Sequence, residues 1–226
     1  MKKRSATFRR ETKETLIDIS LDLDGEGRTQ IETGIPFFNH MLDQLGRHGN
    51  FDLNVEAKGD LEIDAHHTVE DVGIAIGTCF KEAVGEKLGI QRFASASCPL
   101  DEALVDVSLD LSGRPFHFYD VEAPGQKILS DPPFDPQLIE EFWRAFVMSS
   151  EITAHQVLIR GKNTHHIIES LFKSTARALG QRGLRGVVYL PQKAFYKWLK
   201  SPYLTTALAT CDRHKKHLKY QELRPV

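Results

Sequence analysis

Apolar and polar residues alternate through "ETLIDISLDLDG", residues 14 to 25, and the run ends in Asp24-Gly25. That pattern predicts a half-buried strand closed by a turn. A short strand at "QIET" follows, and Pro36 then opens a helix in which Phe37, Met41, Leu42 and Leu45 recur at helical spacing. "FDLNVEAKGD" alternates again. After the loop "LEIDAHH", residues 68 to 88 read as a long helix with Gly85 and Gly89 near its end. The second half repeats the order. Two strand-like segments lie in "CPLDEALVDVSLDLSGRPFHFYDV", a helix in "QLIEEFWRAFVMSSE", a strand in "ITAHQVLIRGKN", and a helix in "HHIIESLFKSTARALG" closed by Gly180.

Such repetition is the mark of an internal duplication. "LNVEAKGDLEIDAHHTVEDVGIAIGTCF" lies over "HQVLIRGKNTHHIIESLFKSTARAL" with a short gap in the preceding loop. The expected fold is α+β, built from two β-β-α-β-α halves of the ferredoxin-like or split βαβ type, with mixed sheets packed against helices. The first half is expected over residues 1–94 and the second over 95–187. Residues 188–226 form an atypical C-terminal tail.

Composition narrows the function classes. With 226 residues, 41% of them hydrophobic, the chain can bury a real core. A formal net charge of -2 gives no electrostatic reason to expect nucleic acid or an anionic membrane as partner. Cys79, Cys98 and Cys211 are odd in number and contain no CxxC pair, which points away from a disulfide framework and toward a reducing compartment. No apolar run approaches membrane-spanning length, and the basic N-terminus is not followed by a signal-peptide core. A cytoplasmic globular protein is expected.

The duplicated unit carries chemistry. His66, His67 and Glu70 recur as His165, His166 and Glu169. On a helix, residues four apart share a face and residues three apart are near neighbours, whereas adjacent residues diverge by about 100°. Two neighbouring histidines therefore serve two ions better than one. Imidazole and carboxylate donors without thiolate suit Mn, Fe, Co, Ni or Zn, and two halves packed about a pseudo-twofold axis could place ligands from both motifs around each ion. His40, on the preceding helix, and Glu141, its counterpart under the repeat, are further candidate ligands. His48 and His155 fit supporting roles better than ligation, and His117, in an aromatic strand, fits packing.

"FFNHMLDQLGRHGNFDL", "DAHHTVEDVGIAIG" and "GKNTHHIIESLFKSTARAL" resemble imidazoleglycerol-phosphate dehydratase, the dehydratase of histidine biosynthesis, and the resemblance runs from about residue 3 to Val187. It implies a duplicated fold, two Mn2+ ions per active site, and homo-oligomers in which trimers build an octahedral 24-subunit particle with sites between subunits. The implied reaction removes water from imidazole glycerol phosphate to give imidazole acetol phosphate. By position, one metal would take His40, His67, His165 and Glu169, and the other His66, Glu70, His166 and Glu141. Family members often carry histidine at the place of Glu141, and a carboxylate can replace it at Mn. The resemblance makes Glu14 the acid/base, with His67 and His165 beside it in the catalytic set. Arg92, Arg114 and Lys173 match phosphate contacts, and Gln44 lies near the substrate. Two further classes fit the ligand pattern alone: a metal-dependent hydrolase, and a non-catalytic metal-binding assembly protein.

The resemblance stops at the tail. The family ends with a Pro-Ser-Thr-Lys-Gly segment that also holds the phosphate, whereas this chain runs "RGVVYLPQKAFYKWLKSPYLTT" and onward. Tyr189 to Lys197 can be encoded TAC CTT CCA CAA AAG GCA TTT TAT AAA. Read from the third base, that string gives Pro-Ser-Thr-Lys-Gly-Ile-Leu and a stop. Two readings stand for 188–226: a family variant with a new extension, or a frameshift near Val187, in the gene or in its reading. The DNA sequence decides between them. A protein carrying this tail is expected to fold and bind metal through its core but to hold the substrate phosphate poorly.

Overall fold

The computed structural model describes residues 3–124, 130 and 133–180; the tail 188–226 lies outside the described residues. All described elements belong to the unit Met1–Val187. In the first half they are β1 (Ser5–Glu11), β2 (Thr15–Asp22), β3 (Thr29–Glu32), α1 (Pro36–Gly49), β4 (Asp52–Gly59) and α2 (His66–Val84). In the second they are β5 (Phe93–Leu100), β6 (Ala103–Asp110), β7 (Phe116–Asp120), α3 (Leu138–Ser150), β8 (Thr153–Arg160) and α4 (Thr164–Gly180). The duplication is complete: each half is β-β-β-α-β-α, and the two sheets have matching orders, β1-β2-β4-β3 and β5-β6-β8-β7. In each, the third strand runs parallel to its neighbour and the other pairs are antiparallel.

Each half thus has one strand more than the alternation predicts, and in both cases it is the edge strand. β1 reads SATFRRE with no fully buried residue, and β5 reads FASASCPL, with Pro99 near its end. Neither carries the β-branched alternation that marks a half-buried strand. β2, by contrast, buries Ile17, Ile19 and Leu21 on one face. α2 begins two residues earlier than expected and stops at Val84, because Gly85 turns the chain out with φ +63.

The halves join through their helices. α2 packs on α3 and α1 on α4, while α2 covers β1 and β2 and α4 covers β5 and β6. Phe38 of α1, Phe142 and Phe146 of α3 and Phe172 of α4 meet in the middle, all but fully buried, with Trp143 set edge-on or tilted among them. α2 comes so close to α3 that a Cβ on Gly73 would lie 2.7 Å from the Phe142 carbonyl oxygen, and one on Gly77 2.5 Å from that of Phe146. Backbone cannot step aside, so Gly77→Val should cost about 1–3 kcal/mol of stability, read as a melting temperature lowered by roughly 2–12 °C. An unchanged melting curve would show that the two helices do not approach this closely. Among the described residues, no helix is long and apolar enough to cross a membrane.

Candidate metal centre

The crossed helix pairing brings chemistry from one half onto the other. α2 and α4 each begin at their histidine pair, and both N-termini are held by loop side chains. The His66 amide donates to Asp64 Oδ1 at 2.7 Å, and the His165 amide to Asn163 Oδ1 at 2.9 Å. These bonds hold the histidines in the first turn of each helix.

Where α1 crosses α4, Glu169 is the hub. Its Oε2 lies 3.0 Å from His165 Nε2 and 3.3 Å from His40 Nε2, and its Oε1 accepts from Lys173 Nζ at 2.6 Å. Burial by itself would raise the Glu169 pKa; the Lys173 ammonium, His165 and His40 outweigh it and hold the carboxyl at about 2. Gln44 Nε2 stands 3.4 Å from His40 Nδ1, and Phe37 meets the His165 ring edge-on at 5.3 Å, so both rings are braced. Both imidazoles remain partly exposed, 42% and 43% of their side chains.

At the pseudo-equivalent place on α2, His66 Nε2 lies 3.6 Å from Glu70 Oε2. Glu141, the counterpart of His40, instead forms an ion pair with Arg144 on its own helix. The second histidine of each motif faces elsewhere. His67 Nδ1 bonds Asp60 Oδ2 at 2.9 Å, and His166 Nδ1 bonds Glu102 Oε2 at 2.8 Å. The His67 pKa is raised, chiefly by the Asp60 hydrogen bond, and Glu102 is held at about 2, chiefly by His166. Each carboxylate fixes its imidazole by Nδ1, the arrangement that orients histidine ligands in metal sites, and His166 Nε2 lies 3.8 Å from Asp101 Oδ2.

Glu14 is exposed at the tip of the turn between β1 and β2, and its charge contributes to the raised His67 pKa after Asp60. Arg92 grips Asp110 with Nε to Oδ1 at 2.5 Å and Nη2 to Oδ2 at 2.8 Å, and Arg114 reaches the same carboxylate at 3.8 Å. Lys173 belongs to the Glu169 cluster. The phosphate candidates therefore fall in two groups in one chain. His48 sits beside Lys173 and Arg177, its pKa lowered by burial first and then by those cations. His117 is likewise lowered by burial and bonds Gln156 at 3.0 Å.

Sequence reasoning passed over Asp60 and Glu102. For Glu102 a signal existed: "ETLIDISLD" from Glu14 lies on "EALVDVSLD" from Glu102 without a gap. The two glutamates thus occupy equivalent hairpin tips, each at the histidine helix of its own half. Asp60 has no such mark, since it lies in an irregular loop.

His40, His165 and Glu169 are, among the described residues, the group whose ligand atoms all lie within 4.8 Å of one another. Neighbouring donors around an octahedral ion with bonds of about 2.2 Å are about 3.1 Å apart. The 3.0 and 3.3 Å separations match that spacing. Two nitrogens and a carboxylate fit a divalent transition ion such as Mn2+.

Comparison with known proteins gives a consistent picture. Residues 33–179 match the family model for imidazoleglycerol-phosphate dehydratase. The chain is 53% identical over 178 residues to the protein of that name from Citrifermentans bemidjiense, covering 79% of this chain and 90% of the relative. It is 55% identical over 176 residues to the one from Gluconacetobacter diazotrophicus, covering 78% and 87%. The crystal structure of the Staphylococcus aureus dehydratase superposes with a TM-score of 0.69 at 38% identity, over 78% of this chain and 96% of that one. The Pyrococcus furiosus structure does so with 0.66 at 34%, over 76% and 91%.

Proposed function

This chain belongs to the imidazoleglycerol-phosphate dehydratase family, lyases of histidine biosynthesis, and from that membership we propose a dehydratase that works at a pair of Mn2+ sites. The observation that carries the metal reading is the His40–His165–Glu169 cluster, assembled across the two halves at octahedral donor spacing. His66 and Glu70 offer the pseudo-symmetric half of a second site, with Glu141 as its third donor once released from Arg144.

His67 and His166 complete neither site within their own chain. Their Nε2 atoms are turned away from Asp60 and Glu102, and this posture supports sites shared between copies, in trimers that build a 24-subunit octahedral particle. When bound, divalent cations held by these residues would supply an electron sink for the carbon that loses its proton. Glu14 takes that proton and returns it to the hydroxyl that departs from the neighbouring carbon, so that water leaves and the charge balances. Arg92 and Arg114 exchange Asp110 for the phosphate, a dianion suited to forked guanidinium donors, and Lys173 adds a point cation.

The test is turnover. The 226-residue chain loaded with Mn2+ should convert imidazole glycerol phosphate to imidazole acetol phosphate, and lose that activity on chelation and regain it on adding Mn2+. Activity untouched by a chelator that strips the metal would overturn the metal reading. No turnover that returns when a Pro-Ser-Thr-Lys-Gly ending replaces residues 188–226 would make this a dehydratase disabled by its tail. No turnover even with that ending would overturn the dehydratase reading.

A further inference from the structure

Asp71 follows Glu70 on α2 and is buried, with 9% of its surface exposed. Its Oδ2 accepts the Thr15 hydroxyl at 2.5 Å, and its Oδ1 meets Arg10 Nη2 at 2.9 Å. The bonds continue into the turn. The Thr12 and Thr15 hydroxyls lie 3.2 Å apart, and Thr12 Oγ1 accepts the amides of Glu14 at 3.1 Å and Thr15 at 2.9 Å. The turn that presents Glu14 is thus tied by an unbroken polar chain to the helix that carries His66, His67 and Glu70.

The duplication supplies an internal control. Aligned through the common strands, Arg10, Thr15 and Asp71 correspond to Cys98, Ala103 and Ser170. In the second half Ser170 merely donates to the Cys98 carbonyl at 2.6 Å and accepts from the Val105 amide at 3.2 Å. That half keeps the same hairpin on the same helix with no ionic group at these three positions, its ionic contact being that of Glu102 with His166 at the tip. A buried ion pair is a poor way to gain stability compared with an apolar filling of the same volume, so folding alone does not call for one on one side only. The equivalent carboxylate there, Glu102, is fixed by its own bond to His166. On the Glu14 side, His67 is bonded to Asp60 instead, and the backbone must do the positioning.

We propose that Arg10, Thr15 and Asp71 form a latch that holds the β1–β2 turn on α2 and thereby positions Glu14 for proton transfer. The inference rests on the reading of Glu14 as the acid/base. These are positioning residues: they act through Glu14 and not on the substrate.

The experiment is a double-mutant cycle on the Mn2+-loaded enzyme, with kcat, KM for imidazole glycerol phosphate, bound Mn2+ per chain and hydrogen exchange of the peptide spanning the turn. Thr15→Val keeps the shape and removes the hydroxyl. It should lower kcat by about ten- to a hundredfold, the scale of a misplaced catalytic group, and speed exchange in the turn. KM and Mn2+ content should stay within about twofold, and Thr15→Ser should restore kcat. In a Glu14→Gln background, Thr15→Val should cost less than about twofold more, because coupled residues do not add. Asp71→Asn serves as the second variant should the valine protein not fold, with the same expectations. Equal losses in both backgrounds, or no loss from Thr15→Val, would overturn the latch while leaving Glu14 in place. A Glu14→Gln enzyme with full kcat would overturn the reading of Glu14, and the latch's role with it.

Discussion

Glu169→Gln is expected to empty the α1–α4 site and lower turnover by about a thousandfold, the equivalent of about 4 kcal/mol of transition-state stabilisation. The reason lies in what Glu169 balances. Its carboxylate faces His40, His165 and Lys173 at once and is held ionised far below the usual range. Glutamine keeps the size and one acceptor but removes the charge, leaving the Lys173 ammonium without its counter-charge at the proposed metal site. The measurement is Mn2+ per chain by elemental analysis beside kcat. Mn2+ should fall from two per chain to one if the α2 site is independent. A full Mn2+ complement in the variant would remove Glu169 from the ligand set. Glu169→Asp separates charge from reach: it should recover part of the metal and little of the rate, because the shorter side chain retreats from both histidines.

Much of this cluster was legible in the sequence because its residues recur. The His-His-x-x-Glu motif repeats in matching context, and the i, i+4 spacing that joins His66 to Glu70 and His165 to Glu169 is fixed by helix geometry. His40 was reachable through the repeat. The crossed pairing of helices was not, because it depends on Gly73 and Gly77 admitting the α3 backbone, and a glycine inside an apolar run does not name its neighbour. β1 and β5 were hidden for a different reason. An edge strand bonded on one side is held by its neighbour's ladder, so Arg9 and Arg10 can sit where a central strand would need apolar residues. The bonds of His67 to Asp60 and of His166 to Glu102 join a loop to a helix and a hairpin to a helix. Such contacts are set by tertiary placement, and only the Glu14–Glu102 correspondence left a trace in the sequence.

That correspondence sharpens the last expectation. Glu14→Gln should lower kcat by about a hundred- to ten-thousandfold, the range for removing a positioned general acid/base, while both metals stay bound and KM changes little. Glu102→Gln should behave differently. It loosens His166 by removing the carboxylate that fixes Nδ1, so its effect should appear first as weaker Mn2+ binding, about 10–100-fold by the usual cost of a lost supporting carboxylate, with kcat recovering as Mn2+ is raised. The two hairpin tips are equivalent in the fold and not in their bonds: Glu102 is committed to His166, and Glu14 is exposed at its tip. Mn2+ added in excess therefore discriminates between them. Rescue of Glu14→Gln by Mn2+ would make Glu14 a supporter of the metal site and not the proton carrier. A non-catalytic metal-binding protein would need neither Glu14 nor a latch to hold it, so a large loss in kcat at full metal occupancy is the result that ties this hairpin to chemistry.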